Sequence, residues 1–203
     1  MNKKVSFWEF FQGLGKTFML PVSLLAACGI MLGIGSSFAS SVTAEILPFL
    51  KNPILKIFFE FIATIGSFAF SNLPVMFAMA IPLGLARQDK GVAAFSGYVG
   101  FAMSSLSVNF FLKATGTLAT PENMKAAGQS MVLGIQSIDV GVLGGVLIGI
   151  IVYKIHDRYC EIKLPDALAF FGGARFVPIA TAVIVGVISL LIPFIWPFFN
   201  NYP

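Results

Sequence analysis

Apolar residues in this chain run in long blocks separated by short polar segments, the pattern of helices that cross a membrane. No charged residue occurs between Thr17 and Ala44. The first predicted span is Thr17 to Ala39, about 23 residues, long enough for a hydrocarbon core of ~30 Å. Ser40 to Lys56 then reads as a loop, with Glu45, Pro48, Lys51 and Pro53. The second span lies within Phe61 to Ala86, where Pro74 and Pro82 predict a kinked or locally unwound helix. A charged turn, Arg87 to Lys90, leads into the third span, Gly91 to Leu112. Lys113 to Ser130 is a loop carrying Gly116, Pro121 and Gly128. The fourth span is Val132 to Tyr153, closed by the charged segment Lys154 to Asp166. Ala167 to Phe199 is divided by Gly172, Gly173 and Arg175 into a short leading piece and a full span from Phe176 onward. The leading piece is too short to cross, so an interfacial or re-entrant segment is expected there. The expected fold is an all-α integral membrane bundle of about five transmembrane helices plus that short segment.

Composition excludes a soluble domain. Hydrophobic residues make up 57% of the 203 positions and charged residues 11%, too few to coat a water-exposed fold. The 13 basic and 9 acidic residues are dispersed, so nucleic acid is not an expected partner and the lipid bilayer is. Basic residues set the orientation instead. With the N-terminus inside, Lys3, Lys4, Lys16, Arg87, Lys90, Lys154, Arg158, Lys163 and Arg175 collect on the inner side. Lys51, Lys56, Lys113 and Lys125 remain outside, which favours a cytoplasmic N-terminus. Glu9 and Lys16 interrupt the chain before the first apolar run, and that run is too long for a signal-peptide core, so the first helix is expected to be retained.

Cofactor and metal chemistry is not expected. Cys28 and Cys160 have no metal-type spacing and read as free thiols. The single histidine, His156, sits in the charged segment and reads as a solvated surface residue without a second His for zinc or haem. Gly15-Lys16-Thr17 ends like a phosphate-binding loop, but Phe10 stands where its first glycine belongs and no strand precedes it.

Two features carry candidate roles. Gly141, Gly145 and Gly149 recur every four residues, as do Gly29 and Gly33, which bares one helix face to a neighbouring backbone. Asp139 either lies inside the fourth span, at a cost of about 2.5 to 3.5 kcal/mol, or caps that helix near the headgroups. A helix starting after Asp139 has about 14 uncharged residues, roughly 21 Å, too short to cross unaided.

Lys163 to Pro178 (KLPDALAFFGGARFVP) resembles the signature of the glucose/maltose-type enzyme IIC permeases of the bacterial phosphoenolpyruvate-dependent sugar phosphotransferase system. Further segments agree in order: Met19 to Leu25 (MLPVSLL) with Gly29 to Gly35 (GIMLGIG), Leu73 to Ala86 (LPVMFAMAIPLGLA) and Asp139 to Gly145 (DVGVLGG). Trp8 to Gln12 (WEFFQ) and Ile192 to Pro197 (IPFIWP) draw the chain toward the maltose/glucose branch. Ala174 stands where Lys is common in the family, and Val140 where Thr is common.

The resemblance covers the N-terminal half of such a permease. It implies that residues 1 to 203 form the scaffold and dimerisation half, with a homodimer through glycine-rich faces. The following half would hold glucose or maltose through a His pair and a Glu-Pro motif, and a IIB domain or protein would donate the phosphoryl group from a cysteine. None of these motifs stands in this chain, and Cys160 lacks the sequence context of the IIB cysteine. The expectation is a fragment of a permease in the bacterial cytoplasmic membrane that by itself has no catalytic residue, with Asp139 lining the outer approach and Arg175 meeting phosphate or IIB. Two rival readings stand beside it. One is half of a proton-coupled secondary transporter with Asp139 as the coupling acid. The other is a non-transporting assembly partner of a longer permease.

Overall fold

The computed structural model describes residues 7 to 196. The chain divides into two compact units, residues 18 to 73 and a larger one built from residues 7 to 17 and 74 to 196.

The smaller unit is an antiparallel helical hairpin. Helix α2 (Met19–Ala39) is followed by a short α3 (Ser41–Ile46), a 3-10 turn (Pro48–Lys51) and α4 (Pro53–Ser71). Asn52 starts α4 by accepting the Ile54 N–H at 3.0 Å, with Pro53 at the first helical position where no amide donor is needed. Residues 53 to 56, expected in the loop, are therefore helical, and Lys56 and Glu60 pair at 3.8 Å one turn apart. Water-driven apolar burial does little between helices in lipid, so close backbone contact must hold the hairpin. Gly35 lies on the Ala63 and Phe59 backbone, and Gly66 on the Leu32 and Cys28 backbone, with no room at either for a Cβ. The rings of Phe38 and Phe59 stack beside them, 5.0 Å between centroids.

The larger unit contains α1 (Phe7–Thr17), α5 (Leu73–Leu85, from Pro74), α6 (Lys90–Ala114), α7 (Gly141–Tyr159), α8 (Phe176–Ser189) and a final turn α9 (Ile192–Ile195). Its core joins α5 to α8: Val75, Ala78, Phe101, Ile148, Val152, Val177 and Val185. Small residues bring the helices together here as well. Gly97 meets the Ala78 carbonyl of α5, Gly100 receives Val152 and Thr181, and Ser189 shares a buried 2.9 Å hydrogen bond with Ser104. Helix α6 ends in a Schellman turn: Gly116 at φ +68°, its N–H on Lys113 O at 3.2 Å and the Thr117 N–H on Leu112 O at 2.9 Å.

Mostly apolar helix is what the sequence predicted, and the structure refines where its spans begin and end. The second span is locally unwound at Asn72, which divides it into α4 and α5, because Pro74 has no N–H to give the Phe70 carbonyl and its ring crowds that carbonyl; Pro82 lies inside α5 without ending it. The fourth span does not begin at Val132. Residues 129–132 and 135–138 pair as a β-hairpin, and α7 starts at Gly141 and runs six residues past Tyr153. The leading piece before Arg175 is a 3-10 turn, Asp166–Phe171. Among the described residues, four helical stretches are long and apolar enough to cross a membrane: 8–39, 53–71, 90–114 and 173–195. Helix α7 reaches about 28 Å but carries Lys154, Asp157 and Arg158 in its last turns, and α5, about 20 Å long, falls short of a full core.

Replacing Gly66 with Leu forces a side chain into the α2 backbone and is expected to destabilise the hairpin by about 1 to 3 kcal/mol. Gly33→Leu meets open space and is expected to stay within about 0.5 kcal/mol of wild type. Thermal unfolding of the two variants in detergent compares them directly.

Candidate functional site

Polar chemistry gathers at the two ends of the larger unit. At one end, β1 (Gln129–Val132) and β2 (Ile135–Ile138) are joined by Leu133 and Gly134, both at positive φ (51° and 78°), as a two-residue hairpin turn of matching twist requires. The buried Gln129 organises this end. Its Oε1 accepts the Ala119 N–H at 3.0 Å and the Gln136 amide at 2.9 Å, and its Nε2 donates to Thr117 O at 2.9 Å. Asn109 of α6 donates to Gln136 O at 2.7 Å, which ties the hairpin to the bundle. Helix-period reasoning missed the hairpin. Its sequence signals are Gly134 in an apolar run and two glutamines seven positions apart.

Asp139 follows directly. It is exposed, and its Oδ1 accepts the Gly141 N–H at 2.9 Å, so it stabilises the start of α7 instead of lying within a span. Gly141 takes φ +54°, a conformation open to glycine. Beside them lies a cleft of about 630 Å³ walled by Lys125, Ser130, Asp139, Leu143 and Trp196. A carboxylate, an ammonium, a hydroxyl and an indole facing one cleft can hydrogen-bond and stack on a small polar solute.

The other end is the charged one. The turn between α5 and α6 folds against the end of α7, where Gln88 donates to Glu161 Oε1 at 2.9 Å and approaches Cys160 Sγ at 3.4 Å. Asp89 sits at φ 48° in this turn. Beneath it His156 is only 2% exposed, which corrects the expectation of a solvated surface histidine. Burial lowers the pKa of this imidazole, and the Asp89 and Asp157 carboxylates and a hydrogen bond to the Asp89 backbone oppose the shift. Arg175 stands exposed just before α8, its guanidinium 4.9 Å from the centroid of Phe170 and one nitrogen donating to Phe170 O at 3.3 Å. Asp139 and Arg175 thus lie at opposite ends of the unit, a full α7 length apart.

The predicted glycines separate. Gly145 meets the Pro74 backbone of α5, and Gly149 meets Ile81 and the Phe77 carbonyl, so that face of α7 is filled within the chain and is not the expected homodimer contact. Gly29 has Phe70 beside it, while Gly33 and Gly141 face open space. Among the described residues no cluster of three His, Cys, Asp or Glu side chains is placed to hold a metal ion. Cys28 and Cys160 are free thiols.

A family profile described as "Phosphotransferase system, EIIC" matches residues 15–202, nearly the entire chain. The chain belongs to this family. The EIIC chain is 58% identical over 198 residues to the "PTS system maltose-specific EIICB component" of Escherichia coli (strain K12), covering 97% of this chain and 37% of that protein. It is 36% identical over 188 residues to the "PTS system glucose-specific EIICBA component" of Staphylococcus saprophyticus, covering 92% of this chain and 27% of that one. The chain therefore spans about a third of the length of these relatives. EIIC membership agrees with a multi-pass membrane protein built from apolar helices.

Two outcomes test the site geometry. Gln129→Met leaves the Ala119 N–H and the Gln136 amide short of an acceptor and is expected to cost about 1 to 3 kcal/mol in thermal unfolding. For His156, whose ordinary value is 6.5, the folded pKa is lowered, so below that pH the unfolded chain binds a proton that the folded chain does not. Stability is then full above pH 6.5 and falls as pH drops through the lowered folded value. Melting temperatures measured from neutral to mildly acidic pH are expected to show this decline in wild type and a smaller one in His156→Gln.

Proposed function

We propose that this chain is the membrane scaffold part of a phosphotransferase-system sugar permease that takes up maltose or glucose and delivers it phosphorylated. The observation that carries this reading is the family match across residues 15–202, together with 58% identity to a maltose-specific relative. The N-terminus is cytoplasmic in this proposal. The charged end then faces the cytoplasm with Arg87, Lys90, Lys154, Arg158, Lys163 and Arg175, and the hairpin end faces out with Lys113 and Lys125.

In this orientation the cleft at Asp139 lies on the outer approach of the sugar. Arg175 lies on the side where a IIB domain or protein presents its phosphoryl group, and its guanidinium fork suits phosphate. The protein works in the bacterial cytoplasmic membrane as a homodimer, with contact supplied by the exposed apolar faces of α2 and α4, Phe58, Phe61 and Phe68 among them, and not by Gly145. Sugar binding and transfer chemistry belong to parts of the permease outside this segment, so none of its residues is assigned a catalytic role.

The test joins this chain to the remaining length of the maltose-specific relative and assays membrane vesicles supplied with the phosphoryl-donor proteins. Uptake is expected to require phosphoenolpyruvate, to resist an uncoupler and to yield sugar phosphate. Accumulation of free sugar that an uncoupler abolishes would overturn the proposal in favour of ion-coupled transport.

A further inference from the structure

We propose that the cleft at Asp139 is an outer holding site for a neutral sugar ring, occupied before the sugar reaches the part of the permease that selects and transfers it. The inference rests on the permease reading for its solute and its side of the membrane.

Three polar side chains face this cleft with hydrogen-bonding capacity to spare. Asp139 places Oδ1 on the Gly141 N–H at 2.9 Å, and its other oxygen has no partner among the described residues. The Lys125 ammonium and the Ser130 hydroxyl are likewise without a partner among those residues. The neighbouring amides are already satisfied: Gln129, Gln136 and Asn109 bond to backbone groups and to one another. Open polar groups therefore converge on one cavity of about 630 Å³, within the range of roughly 300 to 1,000 Å³ usual for small-molecule sites.

The frame that carries these groups is fixed before any solute arrives. The Lys125 carbonyl accepts the Gly128 N–H at 3.1 Å, and the Gly128 carbonyl accepts the Asp139 N–H at 3.1 Å. Gly128 makes both bonds at φ +65°, a conformation that glycine adopts without strain. Carboxylate and ammonium are thus presented from one stitched segment, which lowers the ordering cost of binding. Trp196 follows a turn seated on α6 by Phe194 against Phe111, with 5.0 Å between ring centroids.

The mixture of groups selects the class of solute. One negative and one positive charge cancel, so a solute of net charge gains little from the cleft as a whole. A free carboxylate oxygen, an ammonium and a hydroxyl offer acceptors and donors together, which matches hydroxyl groups that both donate and accept. Leu143 and the half-buried Trp196 add an apolar wall. The polarised C–H groups on one face of a sugar ring rest favourably on the negative face of an indole. A ring with hydroxyls on its rim and C–H groups on its face satisfies all of these surfaces at once.

The test uses the intact chain in a detergent without a sugar headgroup. A Trp8→Phe background, at a position 70% exposed, leaves Trp196 as the one tryptophan of the chain's two. Maltose and glucose are titrated against Trp196 emission, and equilibrium dialysis of radiolabelled sugar counts binding independently. Saturable binding of at least one sugar is expected, with no response to the zwitterion glycine. Asp139→Asn, which can still accept the Gly141 N–H, and Lys125→Met are each expected to raise the dissociation constant about tenfold without lowering the melting temperature. No saturable binding in dialysis, an equal response to glycine, or unchanged affinity in both variants would overturn the proposal. The chimera with the maltose-specific relative separates this result from the permease reading. Sugar phosphate formed by a chimera whose scaffold chain binds no sugar overturns the holding site alone. Saturable binding by the chain, with only free sugar delivered by the chimera, keeps the site and overturns the permease reading.

Discussion

The fold depends on the approach of helix backbones to one another at glycine. In a bilayer, apolar side chains gain little by leaving lipid for a neighbouring helix, so association must come from close contact. Gly35 and Gly66 supply it reciprocally in the α2–α4 hairpin, each resting on the other helix's backbone. Gly97, Gly145 and Gly149 do the same for α5 against its two neighbours in the larger unit. A Cβ at most of these positions would collide with backbone, which cannot swing aside as a flexible side chain can. Each unit thus has a firm internal geometry while most of its apolar surface stays exposed.

With the middle of the larger unit committed to packing and a few buried hydroxyls, its charged side chains and polar loops gather at the ends. At the hairpin end, Gln129, Gln136 and Asn109 satisfy backbone groups that a β-turn-rich segment would otherwise leave unpaired. That frees Asp139, Lys125 and Ser130 to face the cleft. At the charged end, the α5–α6 turn closes over His156 and is fastened to the end of α7 by Gln88. These two ends lie about 28 Å apart along α7.

The helical, membrane-crossing character was legible from the runs of apolar residues and from the phosphotransferase motifs in order along the chain. The departures have local causes. Asn52-Pro53 is a helix-start signal, but the prolines and charges of residues 45 to 56 made the first turn of α4 read as loop. The hairpin is rich in Met, Val, Leu and Ile, so its period-two pattern merges with the apolar helix behind Asp139. His156 is buried by a turn nearly 70 positions earlier in the chain, a contact no local window contains. Gly145 was recognisable as a packing residue, but its partner, α5 or a second copy, is decided only by the three-dimensional arrangement.

The central claim is that this segment supports transport while the rest of the permease selects the sugar. The most direct measurement joins this chain in turn to the remaining lengths of the maltose-specific and the glucose-specific relatives and identifies the phosphorylated sugar each chimera forms. The product is predicted to follow the joined remainder, maltose phosphate with one and glucose phosphate with the other. A product that stays the same whichever remainder is attached would place sugar selection in this segment and contradict the account.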